Sequence, residues 1–255
     1  MTGPRPVRGV VFDNERPVRG VVFDNERPVR GVVFDKDGTL LDFHATWDAA
    51  LGAVLADFAA GDAALLAVLD RELGFDRARV HIDDDSPFVA DSSQAFADKL
   101  AVLIGRPAGD VDLLREIDER IDANAPARAT PEAGADELLR ALAERNVPMA
   151  VATNDNAARA RPQLAALGWG AHLGLVFGAD SGHGEKPGPG MVVAAAAAMG
   201  LDPTEVVMVG DSSTDIGAGN AAGAVTALYG GREDLIADAN IVLDALTDLL
   251  AYVGG

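Results

Sequence analysis

The chain has 255 residues, 49% hydrophobic and 24% charged, which suits a globular protein with a full core. A formal net charge of −19 argues against nucleic acid or an anionic membrane surface as partner. The absence of cysteine excludes disulfides and thiolate metal sites and makes a reducing cytoplasm the expected location. The first residues show no signal-peptide character, and the longest apolar stretch, Met191 to Leu201, is too short to span a bilayer.

The N-terminal segment repeats itself. Arg-Gly-Val-Val-Phe-Asp runs from Arg8 to Asp13, from Arg19 to Asp24 and from Arg30 to Asp35, a period of 11 residues. Only the third copy continues into Asp35-Lys-Asp37-Gly-Thr39-Leu; the first two continue into Asn-Glu-Arg-Pro-Val. The copies are too few and too short for a solenoid and read as a tandem duplication. Three outcomes stay open for residues 1–29. They form a loose tail, or an upstream copy competes for the first strand, or the copies pair with an edge strand of another chain and drive oligomerisation. Strand competition would put Asp13 or Asp24 at the strand end, with Glu15 or Glu26 two residues on and no glycine.

Residues 44–125 read as a helical insertion. Trp47, Leu51, Val54, Leu55 and Phe58 follow helical spacing, as do Leu65, Leu66, Leu69 and Leu73, and Val111, Leu114, Ile117 and Ile121. Asp83–Pro87 and Arg106–Asp110 are the expected loops, and Asn124 to Pro131 the expected hinge. Ser92–Gln94 and Lys99 are candidates to touch a leaving group. From Pro131 onward apolar runs alternate with helical patterns. Leu138, Leu139 and Leu142 share a helical face, Met149–Thr153 is a short apolar run, and a helical stretch with Leu164 and Leu167 ends at Gly168. Leu173–Ala179, Val206–Val209 and Ala224–Leu228 are further buried strands. This order predicts an α/β fold with a mostly parallel sheet covered on both faces.

Four pieces each fall at the C-terminal end of an expected strand, the edge where open α/β sheets bind ligands. They are Asp35-Lys-Asp37-Gly38-Thr39, Thr153-Asn154-Asp155, Lys186-Pro187, and Gly210-Asp211-Ser-Ser-Thr-Asp215. Singly each has a plain reading: a strand-end turn, a helix N-cap at Thr153-Asn154-Asp155, a loop lysine, a capped helix start. Jointly they bring carboxylates, a hydroxyl and an ammonium to one edge, an inventory suited to Mg²⁺ and phosphate. His44, His81, His172 and His183 show no metal-ligand spacing and read as surface or hinge residues.

In these motifs the chain resembles the haloacid dehalogenase superfamily of phosphohydrolases, in its phosphoglycolate-phosphatase-like branch. The resemblance runs from about Arg30 to the C-terminus. It implies a Rossmann-like parallel core (30–43 and 126–255) with an inserted α-helical cap domain (44–125), preceded by the duplicated segment 1–29. It also implies roles: Asp35 as nucleophile forming an aspartyl-phosphate, and Asp37 as acid, then base, with its carbonyl towards the metal. Asp211 would complete the Mg²⁺ ligands with Asp35, and Asp215 would hold a metal-bound water or the lysine. Thr153, Asn154, Lys186 and Gly38 would meet the phosphate, with Thr153 and Lys186 offsetting charge in the transition state. The glycine leaves room where a side chain would intrude. The implied activity is Mg²⁺-dependent hydrolysis of a small phosphomonoester, phosphoglycolate-like or a sugar phosphate, by a monomer or homodimer. A phosphosugar mutase would use the same residues but exclude water from the aspartyl-phosphate. An assembly or binding protein on an inactive scaffold, driven by the repeats, is the alternative from another class. Carbon–halogen displacement is disfavoured, because Asp37 and Asp211 are metal-site equipment.

Overall fold

The structure, a computed structural model, describes residues 11–13, 16–18, 29–83, 85–90, 92–124, 129–230 and 233–253. The first repeat copy supplies β1 (Val11–Asp13), paired antiparallel with β2 (Arg16–Val18), and the third supplies β3 (Gly31–Phe34). The second copy, with Asp24 and Glu26, lies outside the described residues, as does Glu15. The third copy occupies the slot in the large sheet, so Asp35 and not Asp13 stands at its end. This is the one copy that continues into the Asp37–Thr39 turn.

The described residues divide into two compact units, one from Met1–Leu41 and Pro131–Gly255, the other from Asp42–Thr130. The second unit contains α1 (Phe43–Ala59), α2 (Ala63–Glu72), β4 (Phe75–Asp76), β5 (His81–Ile82), α3 (Pro87–Ala90), α4 (Ser93–Leu103) and α5 (Val111–Asn124). Side-chain oxygens of Asp42, Asp62 and Ser92 accept from N–H groups in the first turns of α1, α2 and α4. The Ser92 hydroxyl is thus used as a cap, and Gln94 donates to Asp98 one turn on. Trp47, Leu51, Val54 and Leu55 meet Leu69, Leu73, Phe96, Leu100, Leu113, Ile117 and Ile121 in one apolar core. The small β4–β5 hairpin was not expected from the periodicity, and Arg77, just after β4, ties it to α2 through two 2.7 Å bonds to Asp70. The predicted stripe of α5 is corrected at its start: Val111 is 81% exposed, whereas Leu113 is fully buried. Val111 opens the first turn, and Leu113 stands four residues before Ile117, on the same face.

The first unit continues with α6 (Ala135–Glu144), β6 (Met149–Ala152), α7 (Ala157–Ala166), β7 (Leu175–Phe177), α8 (Gly190–Ala198), β8 (Val206–Gly210), α9 (Ser213–Ala222), β9 (Val225–Tyr229) and β10 (Ile241–Leu243). The sheet order is β10-β9-β8-β3-β6-β7, and every ladder in it is parallel. β3, β6 and β8 are buried along their whole length, as expected for strands covered on both faces. Val33, Ala150, Ala152, Val206 and Met208 pack on Met191, Val192, Ala195 and Ala196 of α8 and Ala218 of α9. This is the predicted α/β, Rossmann-like parallel core; the edge strand β10 is an addition that the sequence pattern did not indicate. No helix among the described residues is long and apolar enough to cross a membrane.

The exposure contrast in α5 has a direct consequence. Leu113→Ala should destabilise the protein by about 2–5 kcal/mol, and Val111→Ala should fall within about 0.5 kcal/mol of the parent, both measured by denaturant unfolding.

Candidate active site

The parallel register sets the site. Phe34 pairs with Val209 on one side and Val151 on the other, so the residues after β3, β8 and β6 emerge side by side. Those residues are Asp35, Asp211 and Thr153, and the Asp35 N–H continues the ladder to the Val209 carbonyl at 2.8 Å. Thr153 is 2% exposed, and its hydroxyl accepts from the Asp155 N–H at 3.1 Å. It is not a helix N-cap; the N-cap of α7 is Asn156, and the first N–H groups of that helix donate to Asp180.

Lys186 reaches the same place from the loop after β7. Its ammonium donates to Asp35 Oδ1 and to Asp215 Oδ1, both at 2.5 Å, and the side chain is 3% exposed. The Asn154 side chain holds the lysine main chain in a reciprocal pair, accepting from the Lys186 N–H at 2.8 Å and donating to its carbonyl at 3.1 Å. The bond between Lys186 and Pro187 is cis. Asp215 lies in the first turn of α9, wholly buried, where Oδ2 accepts from the Ser212 N–H at 3.0 Å and the Ser212 hydroxyl at 2.5 Å. One carboxylate therefore caps a helix and anchors the lysine.

Asp35, Asp211 and Asp215 place carboxylate oxygens within 4.8 Å of one another. Asp211 is steadied by the Thr39 hydroxyl, which donates to Oδ1 at 3.1 Å. Gly38 has φ of +84°, and a Cβ there would lie 2.4 Å from Asp211 Oδ2. The glycine is needed for the turn and for the close approach of this carboxylate. Burial first, then Asp215, pushes the Asp35 carboxyl well above the ordinary range, against the pull of Lys186. The same two causes push Asp211 up to about 7. Burial works against the charge of Lys186, but Asp215 and Asp35 outweigh it and hold its pKa above the usual value.

Asp37 lies beside a second buried lysine. Its carboxylate turns to the fully buried Lys36, with Nζ–Oδ2 of 2.7 Å and Nζ–Oδ1 of 2.9 Å. Lys36 also meets Asp155 Oδ2 at 3.1 Å and donates to Gln163 Oε1 of α7 at 2.9 Å. Asp155 pairs in turn with Arg159. Burial opposes the charge of Lys36, and Asp37 and Asp155 overcome it. Lys36 and Thr39 are site residues that motif reasoning passed over; both stand inside the quoted motif, which was the available signal. A third addition had no signal: a groove of about 360 Å³ beside Gly38, lined by Glu132, Tyr229, Gly230, Leu243 and Asp244. There the Tyr229 hydroxyl donates to Glu132 at 3.0 Å, and burial together with Glu132 pushes the phenol up to about 12.

These side chains place five carboxylates (Asp35, Asp37, Asp155, Asp211, Asp215) against three cations (Lys36, Arg159, Lys186). More carboxylates than cations, all of them hard oxygen donors, fit a divalent ion such as Mg²⁺. Asp35 and Asp211, whose carboxyls are pushed up by burial first and by Asp215 second, are the groups that would hold it.

A buried parallel sheet thus gathers carboxylates, a lysine and a threonine at one edge. A family model for haloacid dehalogenase-like hydrolases matches residues 29–223, and the chain belongs to that family. It is 37% identical over 123 residues to a phosphoglycolate phosphatase of Pectobacterium atrosepticum, an alignment covering 46% of this chain and 53% of that protein. It thus spans about half the length of that relative. A phosphoglycolate phosphatase of Shigella dysenteriae is 29% identical over 238 residues, covering 86% and 90% of the two chains. Among solved structures, a haloacid dehalogenase family hydrolase from Deinococcus radiodurans, with bound phosphate and sodium, superposes with a TM-score of 0.60 at 25% identity. That match covers 89% of this chain and 95% of that one.

Two measurements test the electrostatics. Lys36→Met leaves Asp37 and Asp155 without their shared cation and should cost about 3–5 kcal/mol in urea unfolding. Between the ordinary carboxylate value of 3.8 and about 7, folded protein keeps a proton on Asp211 that the unfolded chain has lost. Stability of metal-free protein should therefore fall as pH rises through that window. In thermal melts with chelator Asp211→Asn should flatten the slope, and Mg²⁺ should restore stability at the upper end.

Proposed function

We propose that this chain is a Mg²⁺-dependent phosphatase of small phosphomonoesters, phosphoglycolate-like or sugar phosphates, working through an aspartyl-phosphate on Asp35. The observation that carries the reading is the buried ammonium of Lys186 held 2.5 Å from Asp35, with the Asp211 and Asp215 carboxylates beside it. A dianionic phosphate can approach a carboxylate only where positive charge is fixed in advance. The names of the phosphatase relatives, and the phosphate and sodium held by the Deinococcus protein, support the same reading.

In the first step an Asp35 oxygen attacks phosphorus, the P–O bond to the leaving group breaks, and Asp37 gives its proton to the departing oxygen. In the second step Asp37 takes a proton from water as the water oxygen attacks phosphorus. The bond to Asp35 then breaks and inorganic phosphate leaves. Lys186 and Thr153 face the phosphoryl oxygens and offset charge as it spreads over them. Asp215 keeps Lys186 in place, and Lys36 fixes the orientation of Asp37. When bound by Asp35, the Asp37 carbonyl and Asp211, Mg²⁺ supplies charge neutralisation between nucleophile and phosphate.

The test is a screen of small phosphomonoesters with Mg²⁺, reading phosphate release. Asp35→Asn in properly folded protein should lower turnover by at least about a thousandfold. Steady release without a phosphosugar activator excludes a mutase. Activity that survives Asp35→Asn, or a folded parent protein inactive on every ester, overturns the proposal.

A further inference from the structure

We propose that His44, Asp48 and His81 form a binding site for a divalent transition ion of the Zn²⁺ class in the helical unit. No ligand spacing marks these residues in the sequence as a set, since His81 is 33 positions from Asp48. The structure brings them together. His44 and Asp48 stand one turn apart at the start of α1, where i and i+4 side chains share a face. β5 delivers His81 to the same carboxylate. His44 Nδ1 lies 3.1 Å from Asp48 Oδ1, and His81 Nδ1 lies 3.3 Å from Oδ2. The two rings stack with centroids 4.4 Å apart and planes at 27°. One donor atom from each of the three residues falls within 4.8 Å of the other two.

Those separations have a metric meaning. Nitrogen and oxygen ligands about 2.0–2.1 Å from a tetrahedral Zn²⁺ are roughly 3.3 Å apart. The separations of 3.1 Å from His44 to Oδ1 and 3.3 Å from His81 to Oδ2 are close to that spacing, with the two rings on different oxygens of one carboxylate. Two imidazoles and one carboxylate favour Zn²⁺, Co²⁺ or Ni²⁺ over Mg²⁺, which takes oxygen ligands. The carboxylate is also held in place, because the Ile82 N–H donates to Asp48 Oδ1, the oxygen that faces His44, at 2.9 Å. The side chains of His44, His81 and Asp48 are 40%, 29% and 14% exposed, so an ion can enter and complete its coordination with water. Its ligands differ in kind from the all-carboxylate set of Asp35, Asp211 and Asp215. Bound ion would clip the first turn of α1 to the β4–β5 hairpin and stabilise the helical unit by mass action.

The experiment uses the full chain, stripped with chelator and held in excess Mg²⁺ to occupy the carboxylate site. Zn²⁺ is titrated while the imidazole ¹⁵N signals of the four histidines are followed by NMR; Co²⁺ is titrated while its visible d–d absorption is read. Signals of His44 and His81 should shift at micromolar Zn²⁺ while those of His172 and His183 stay. His81→Gln and His44→Gln should each weaken Co²⁺ binding at least about tenfold, with unchanged circular dichroism. Unmoved His44 and His81 signals, equal shifts at all four histidines, or variants binding Co²⁺ like the parent would overturn the assignment. The titration of the parent protein decides the matter even where a variant fails to fold.

Discussion

The ammonium of Lys186 between Asp35 and Asp215 is the contact on which the core arrangement turns. Three carboxylates within a few ångströms of one another in a buried setting repel, and burial disfavours each charge. A single lysine shared by two of them offsets part of that cost, and the carboxylate charge that remains is what a divalent cation would offset. The surrounding structure serves this balance. Ser212 holds Asp215, Asn154 holds the Lys186 backbone, Thr39 holds Asp211, and Gly38 keeps its own space clear.

A second buried lysine repeats the device next door. Lys36 stands between Asp35 and Asp37 in sequence, yet it serves Asp37 and Asp155. The strand has ended at Phe34, so the chain bends here: Asp35 meets Lys186, Lys36 turns to Asp155 and Gln163, and the Asp37 carboxylate meets its own neighbour Lys36. Each lysine thus couples one aspartate of the motif to a distant acidic residue. Removing either cation would expose the desolvation cost of two carboxylates at once, which makes these pairs structural as well as chemical.

The helical unit depends on a different physics. Its core is aliphatic and aromatic, and its helices begin at side-chain caps that satisfy otherwise orphaned N–H groups. The polar feature that stands out there is the pair of stacked imidazoles on Asp48, assembled by a hairpin that periodicity did not foresee. The duplicated N-terminus shows a related limit. Three copies share one apolar phrase, and the copy in the large sheet is the one whose continuation supplies the turn and the aspartates.

From the sequence alone came the alternation of strand and helix, the helical character of 44–125, and the four motif pieces at the sheet edge. These are local properties: period, turn chemistry and capping act over a few residues, so they can be read from a string. Long-range polar pairing cannot. Lys36 meets Gln163 across 127 positions and Lys186 meets Asp35 across 151. Only the folded chain determines which carboxylate each ammonium takes, whether Val111 or Leu113 is buried, and that His44 and His81 meet. Those outcomes depend on which strands lie adjacent and how helices rotate against their core, and no short segment carries that information.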